Sequence, residues 1–155
     1  MSSLNLPSYP VKLNDNNGVR SIYDPLRKKY IVLTPEEWVR QHFINFLSQH
    51  KAYPIELMAN EVLLRLNSTS KRCDTVVYDK YLTPIAIIEY KAPHIKITQE
   101  VFEQIYRYNI VLRVKYLIVS NGMQHFCCKI DYTQNTSTFL PDIPSYQDML
   151  KDSIE

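Results

Sequence analysis

Two segments decide the reading: Arg72-Cys73-Asp74-Thr75-Val76-Val77 and Pro84-Ile85-Ala86-Ile87-Ile88-Glu89-Tyr90-Lys91. Both are rich in valine and isoleucine, which favour strands, so residues 73–79 and 84–90 are expected to be strands. Only the short link around Lys80-Tyr81-Leu82-Thr83 separates them, which implies an antiparallel hairpin. A hairpin centred between Tyr81 and Leu82 sets Asp74 directly opposite Glu89. Opposed side chains lie roughly 5 Å apart at Cβ, so two carboxylates would meet there. Side chains alternate along a strand, so Glu89 and Lys91 share a face about 7 Å apart. Two carboxylates that close repel, and a divalent cation between them removes the conflict. Mg²⁺ suits one or two carboxylates completed by water and phosphate oxygens. Such a cation polarises a phosphodiester and acidifies its bound water. The same spacing also fits a strand-end Asp74 beside an exposed Glu89–Lys91 ion pair. The run Ile85 to Ile88 reads as a buried core strand, however, so Glu89 leaves the core at a strand end, where sites collect in sheets with helical crossovers.

Outward from the hairpin the pattern extends both ways. Residues 58–66 form a further apolar strand run, and Asn67-Ser68-Thr69-Ser70 a turn. Thr34-Pro35-Glu36-Glu37 reads as a helix start: Thr34 as N-cap, Pro35 in the first turn, and Glu37 completing a capping box. That helix is expected to reach about His50, with Val39, Phe43, Phe46 and Leu47 on its buried stripe. A second helix is expected over 97–112, with Val101, Ile105, Tyr108 and Leu112 on one face. Strands at 115–120 and 124–130 follow, joined at Asn121-Gly122, the strongest hairpin signal in the chain. The expected fold class is α/β, with a mixed central β-sheet flanked by helices in the order α-β-β-β-α-β-β. Residues 1–33 read as an irregular extension with a short hairpin at Asn17-Gly18 and an extended stretch near 27–33. The core spans 34–131, and 132–155 reads as a polar tail.

Composition narrows the chemistry. The chain has 155 residues, enough for one domain with a buried core. Two glycines, Gly18 and Gly122, cannot build a dinucleotide fingerprint or a P-loop. Three cysteines with no C-x-x-C pair speak against a zinc ribbon and a disulfide framework, and free thiols fit a reducing, cytoplasmic setting. Cys127 and Cys128 should face opposite sides of one strand. The four histidines show no zinc-ligand spacing, and no G-x-S-x-G elbow is present. No apolar run approaches the roughly 20 residues of a membrane helix, so no membrane role is expected. Net charge is +2, but residues 20–115 carry 15 basic and 10 acidic side chains while 116–155 carry 2 and 5. A basic middle is compatible with a polyanionic partner.

Asp74, fourteen residues, and then Glu89-Tyr90-Lys91, within this order of elements, resembles the PD-(D/E)XK nucleases. The chain is more closely similar to the N-terminal nuclease domain of type I restriction enzyme R subunits, over roughly 34–130. Gln104 and Tyr108 match the Q-x-x-x-Y element on the helix after the Glu-x-Lys strand, and Pro35-Glu36-Glu37-Trp38 resembles the acidic first helix. Cys73 stands where the family name has proline. The resemblance implies a restriction-endonuclease-like core that hydrolyses nucleic-acid phosphodiesters, DNA first, with Mg²⁺ or Mn²⁺. It implies Asp74 and Glu89 as metal ligands, Lys91 at the attacking water, and Glu37, ahead of Glu36, as a further acid. Gln104 and Tyr108 would support the substrate, and Arg72 would touch phosphate. Glu61 is either one more ligand or an ordinary edge charge. Restriction-system subunits or a second copy of the chain are the implied protein partners. A module that only binds nucleic acid or docks a partner is the alternative.

Overall fold

Local chemistry sets the first helix. In the structure, a computed structural model that describes residues 1–151, Thr34 caps α1 (Pro35–His50) by accepting the Glu37 N–H at 3.0 Å. Val39, Phe43, Ile44 and Leu47 are buried along one stripe, and Phe46 packs beside them, half-buried. The capping box is one-sided, because the Glu37 carboxylate turns to arginines instead of back to Thr34.

The central sheet has six strands in sequential order: β4 (Met58–Leu66), β5 (Thr69–Tyr78), β6 (Pro84–Tyr90), β7 (Tyr116–Ser120), β8 (His125–Asp131) and β9 (Thr136–Leu140). Neighbours are antiparallel except β6 and β7, which run parallel because helix α2 (Gln99–Asn109) carries the crossover between them. Period-two alternation divides the sheet into two cores. Ala86, Ile88, Tyr90, Ile118 and Cys127 pack under α1, whereas Val76, Ile87, Leu117, Val119 and Cys128 pack under α2. The two adjacent cysteines thus fall on opposite faces, as expected. Each such aliphatic side chain contributes about 1.5–3 kcal/mol over exposure.

Thr98 caps α2, which ends in a single 3₁₀ turn at Ile110–Leu112. Its inward side is Phe102 and Asn109, with Ile105 and Tyr106 partly buried. Tyr108, placed on one helical face with Val101, Ile105 and Leu112, is 64% exposed.

Both chain ends hold more structure than their composition suggests. In residues 1–33, β1 (Leu13–Asn16), β2 (Val19–Asp24) and β3 (Lys29–Val32) form a separate antiparallel sheet. Asn17 and Gly18, both at positive φ, make its first turn, which is the geometry of a two-residue hairpin. The tail expected to be polar supplies β9 and a last helix, α3 (Tyr146–Lys151), whose Met149 is fully buried. Residues 152–155 of that tail lie outside the described residues.

Candidate functional site

The register of the β5–β6 hairpin is the one its turn implies: Thr75 pairs with Ile88, Val76 with Ile87 and Val77 with Ala86. One step further Asp74 would oppose Glu89, but the ladder stops. There the Asp74 carboxylate, not its backbone, accepts the Tyr90 N–H at 3.0 Å. The strands part at this point into a cleft of about 420 Å³ between the sheet and α2. Asp74, Glu89 and Lys91 line it from the strands, and Gln104 and Tyr108 from one face of α2.

Glu89 lies within the cleft at 8% exposure. Burial, reinforced by the negative charge of Asp74, pushes its carboxyl up to about 8, against the pull of Lys71. Lys91 is fixed through its backbone, which donates to the Ser120 carbonyl at 2.9 Å. Its ammonium has no ion-pair partner among the described residues. Lys71 fills the role of partner instead: Nζ lies 2.6 Å from Glu89 Oε1 and 4.5 Å from the centre of the Tyr108 ring.

Two expected residues stand elsewhere. Glu37 is buried on the far side of α1's first turn, where Arg27 Nη2 reaches both its oxygens at 2.9 Å. Gln41 donates to Glu37 Oε2 at 2.9 Å, and Arg40 Nε forms an ion pair with the same oxygen at 3.2 Å. Glu36, one position earlier and rotated by about 100° on the helix, lines the cleft in its place. Arg72 is exposed and donates to the Glu61 carbonyl at 3.2 Å, outside the cleft. Glu61 is also outside it, paired with Arg40 at 2.8 Å.

The exchange of Lys71 for Arg72 has a physical cause. Strict alternation from Asp74 would send Arg72 into the cleft and Lys71 away. Yet Cys73 and Val76, an odd number of positions apart, both pack under α2. Alternation is therefore broken between Cys73 and Asp74. The partner strand bends at the same level: Glu61 has φ +57° and is skipped in the ladder with β5. Arg40 clamps the bend by donating to the Asp74 carbonyl at 2.6 Å. Asn109 is a cleft residue that sequence reasoning misses; it ranks Glu36 behind Glu37 and reads Lys71 only as a basic residue flanking the site. Only the run of lysine and arginine before Asp74 hints at Lys71.

The donor set suits a hard cation. Two adjacent carboxylates with an open side leave room for the water and phosphate oxygens that Mg²⁺ retains. Asn109 Oδ1 is a buried acceptor beside the cleft with no hydrogen-bond partner among the described residues, so the site offers an acceptor to a hydrated ligand. Among the described residues no three His, Cys, Asp or Glu side chains form a preformed metal cage. Cys73 is no nucleophile, since burial and Glu89 push its thiol up to about 12. A larger cavity of about 800 Å³ lies between α2 and β8–β9, but it is lined mainly by apolar groups such as Phe102, Phe126 and Phe139, without convergent carboxylates. His125, at its rim, has both ring nitrogens engaged, by Ser120 Oγ at 2.7 Å and the Asn5 carbonyl at 2.9 Å. That ties down the N-terminal segment and leaves no free base.

The fold resembles a fragment of a protein described as an HsdR subunit of a type I restriction enzyme from Vibrio vulnificus YJ016. The TM-score is 0.53 at 20% identity, over 77% of this chain and 25% of that one. The chain thus spans about a quarter of that relative. A second similar structure, from a DrdV–DNA complex, gives a TM-score of 0.45 at 15% identity, over 76% of this chain and 12% of that one. No curated protein matches the chain. The family model for the type I restriction enzyme R protein N terminus matches residues 35–144. That is more than two thirds of the sequence and includes every group in the cleft, so the chain belongs to the family of type I restriction enzyme R protein N-terminal domains.

Proposed function

We propose that this domain hydrolyses DNA phosphodiester bonds with Mg²⁺ or Mn²⁺. The observation that carries the reading is the meeting of Asp74, Glu89 and Lys91 in one cleft, with Gln104 and Tyr108 facing them from α2. Asp74 and Glu89 would hold the cation, which supplies Lewis-acid polarisation of the phosphate and a more acidic water. Asp74 keeps one oxygen on the Tyr90 N–H, which fixes the orientation of its carboxylate. Lys91, unpaired and rooted at a strand end, offers a hydrogen-bond donor that orients the attacking water or a charge to the phosphate. Glu36 adds negative charge at the rim, in the role expected of Glu37. Tyr108, largely exposed, offers a ring for a base or sugar, and Gln104 an amide for a phosphate oxygen. Family membership supports the reading, as does a basic middle segment suited to a polyanion. Assembly with other restriction subunits or a second copy belongs to the same proposal.

Cleavage of plasmid and linear DNA, with and without divalent metal, tests it. Lys91→Ala and Asp74→Ala should each lower the rate by about a hundredfold or more while the fold stays intact. Metal-independent cleavage, or variants as active as wild type, would sink the reading.

The 2.6 Å Lys71–Glu89 pair favours one second reading, in which the cleft's own lysine has replaced the metal and the domain only holds DNA. Calorimetry with Mn²⁺ separates the two. The nuclease reading expects Mn²⁺ binding that Asp74→Asn weakens, whereas the binding-module reading expects salt-dependent DNA binding and no Mn²⁺ uptake.

A further inference from the structure

The cleft contains a second lysine with no role in the chemistry above. Lys71 Nζ donates to Glu89 Oε1 at 2.6 Å and to the Arg72 carbonyl at 3.1 Å, and it lies over the Tyr108 ring at 4.5 Å. Its side chain is 9% exposed and that of Glu89 11%. A cation held at Asp74 and Glu89 would compete with Lys71 for the Glu89 carboxylate, and two cations so close in a half-buried cleft repel strongly. The lysine stem is long and flexible, with the ring of Tyr108 beside it, and Tyr108 is exposed at the mouth of the cleft. Displacement would therefore carry the ammonium along the ring toward solvent, where a nucleic-acid backbone would arrive.

Building on the metal-dependent reading, we propose that Lys71 is a substrate-contacting residue, held on Glu89 until a divalent cation takes its place and then released to a DNA phosphate. Cation and DNA binding are thereby coupled through one side chain: the metal exposes a positive charge that the metal-free cleft keeps buried against Glu89.

The test is DNA binding, not cleavage. Fluorescence anisotropy with a short labelled duplex is measured across a salt series, with and without Ca²⁺, which shares the oxygen preference of Mg²⁺. Lys71→Gln should weaken binding in Ca²⁺ about three- to tenfold and lower the slope of log affinity against log salt by about 1. Without Ca²⁺ the loss of affinity and of slope should be clearly smaller, because Lys71 is then held on Glu89. Lys71→Arg, which keeps the charge, should retain the wild-type slope in Ca²⁺. A Lys71→Gln effect that is absent in Ca²⁺, or equal with and without it, overturns the proposal. Should Lys71→Gln fail to fold, a crystal of the wild type with Mn²⁺ decides: Lys71 Nζ still bonded to Glu89 beside a bound Mn²⁺ refutes the exchange. Asp74→Asn separates the two levels. If Ca²⁺ does not alter wild-type DNA binding, or alters that of Asp74→Asn equally, the carboxylate-pair reading itself fails.

Discussion

Glu89 concentrates the residue-scale physics of this cleft. Its carboxyl is pushed up to about 8 by burial first and by the neighbouring Asp74 charge second, so the folded domain holds that proton more tightly than the unfolded chain does. The stability that follows is fully present below the ordinary glutamate range and is lost as pH rises through about 8. Metal-free wild type should therefore melt lower as pH climbs, whereas Glu89→Gln, which cannot ionise, should lose less. Between about pH 5 and about pH 9 the gap between the two melting curves should shift by ~5 °C in favour of the variant. Parallel curves would show that Lys71 already compensates the charge in full. A metal bound to the same carboxylates should abolish the difference, because binding favours the ionised form.

At the scale of elements, the β5–β6 hairpin shows how a turn fixes chemistry several residues away. Asp79 Oδ1 accepts the N–H groups of both Tyr81 and Thr83 at 2.9 Å, which closes the loop and sets the register that brings Asp74 level with Glu89. The loop carries a local cost at Leu82, which has φ +62° and is 68% exposed. A left-handed backbone disfavours a bulky side chain, and asparagine tolerates it better. Leu82→Asn should therefore stabilise the domain by ~0.5–1 kcal/mol, read by urea denaturation, without altering DNA cleavage. A destabilised variant would mean that Leu82 contributes packing not evident in its exposure.

For the whole molecule, two distant segments close the fold around α1. Asp24 of β2 is fully buried, bonded to Arg27 and, at 2.9 Å, to Asn60 of β4. Asn60 in turn accepts from Thr75 at 2.6 Å, and Thr75 meets the Tyr90 hydroxyl at 2.9 Å. A continuous polar chain thus runs from the N-terminal sheet to the strands that form the cleft. Burial alone would raise the Asp24 carboxyl, but hydrogen bonds from Arg27, Asn60 and the Leu26 N–H outweigh it and hold it below the ordinary value. Its stabilisation is present above the ordinary aspartate range and is lost as pH falls. Asp24→Asn should cost ~1–3 kcal/mol at neutral pH, with the deficit shrinking in acid. A constant deficit would argue against the charge as its source. At the other end, α3 inserts Met149 into the α1 core, and the Tyr146 hydroxyl bonds to the Tyr78 carbonyl at 2.8 Å. Met149→Ala should destabilise by ~2–4 kcal/mol in thermal or chemical denaturation, because it opens a cavity in a fully buried site.

What the sequence determined by itself is what short-range physics controls. A Thr-Pro cap set the start of α1, apolar runs rich in valine and isoleucine between turn residues identified four of the central strands closely, and a short turn fixed the hairpin register. Asp74, Glu89 and Lys91 could be read as one group because their spacing along the strands is local geometry, and the family resemblance added Gln104 and Tyr108 to them. Tertiary structure alone decided the rest. The break in alternation at Cys73–Asp74 depends on Arg40 and on the bend at Glu61, both remote in sequence, and it exchanged Arg72 for Lys71. Glu37 left the cleft because Arg27, ten residues earlier, folds back onto it. The strands at both ends are short and largely exposed, although Ile22 and Asp24 of β2 are buried, so only the Asn17-Gly18 turn and the extended stretch near 27–33 hinted at them. They exist because neighbouring strands satisfy their backbone groups, and that pairing is settled only when the whole chain has folded.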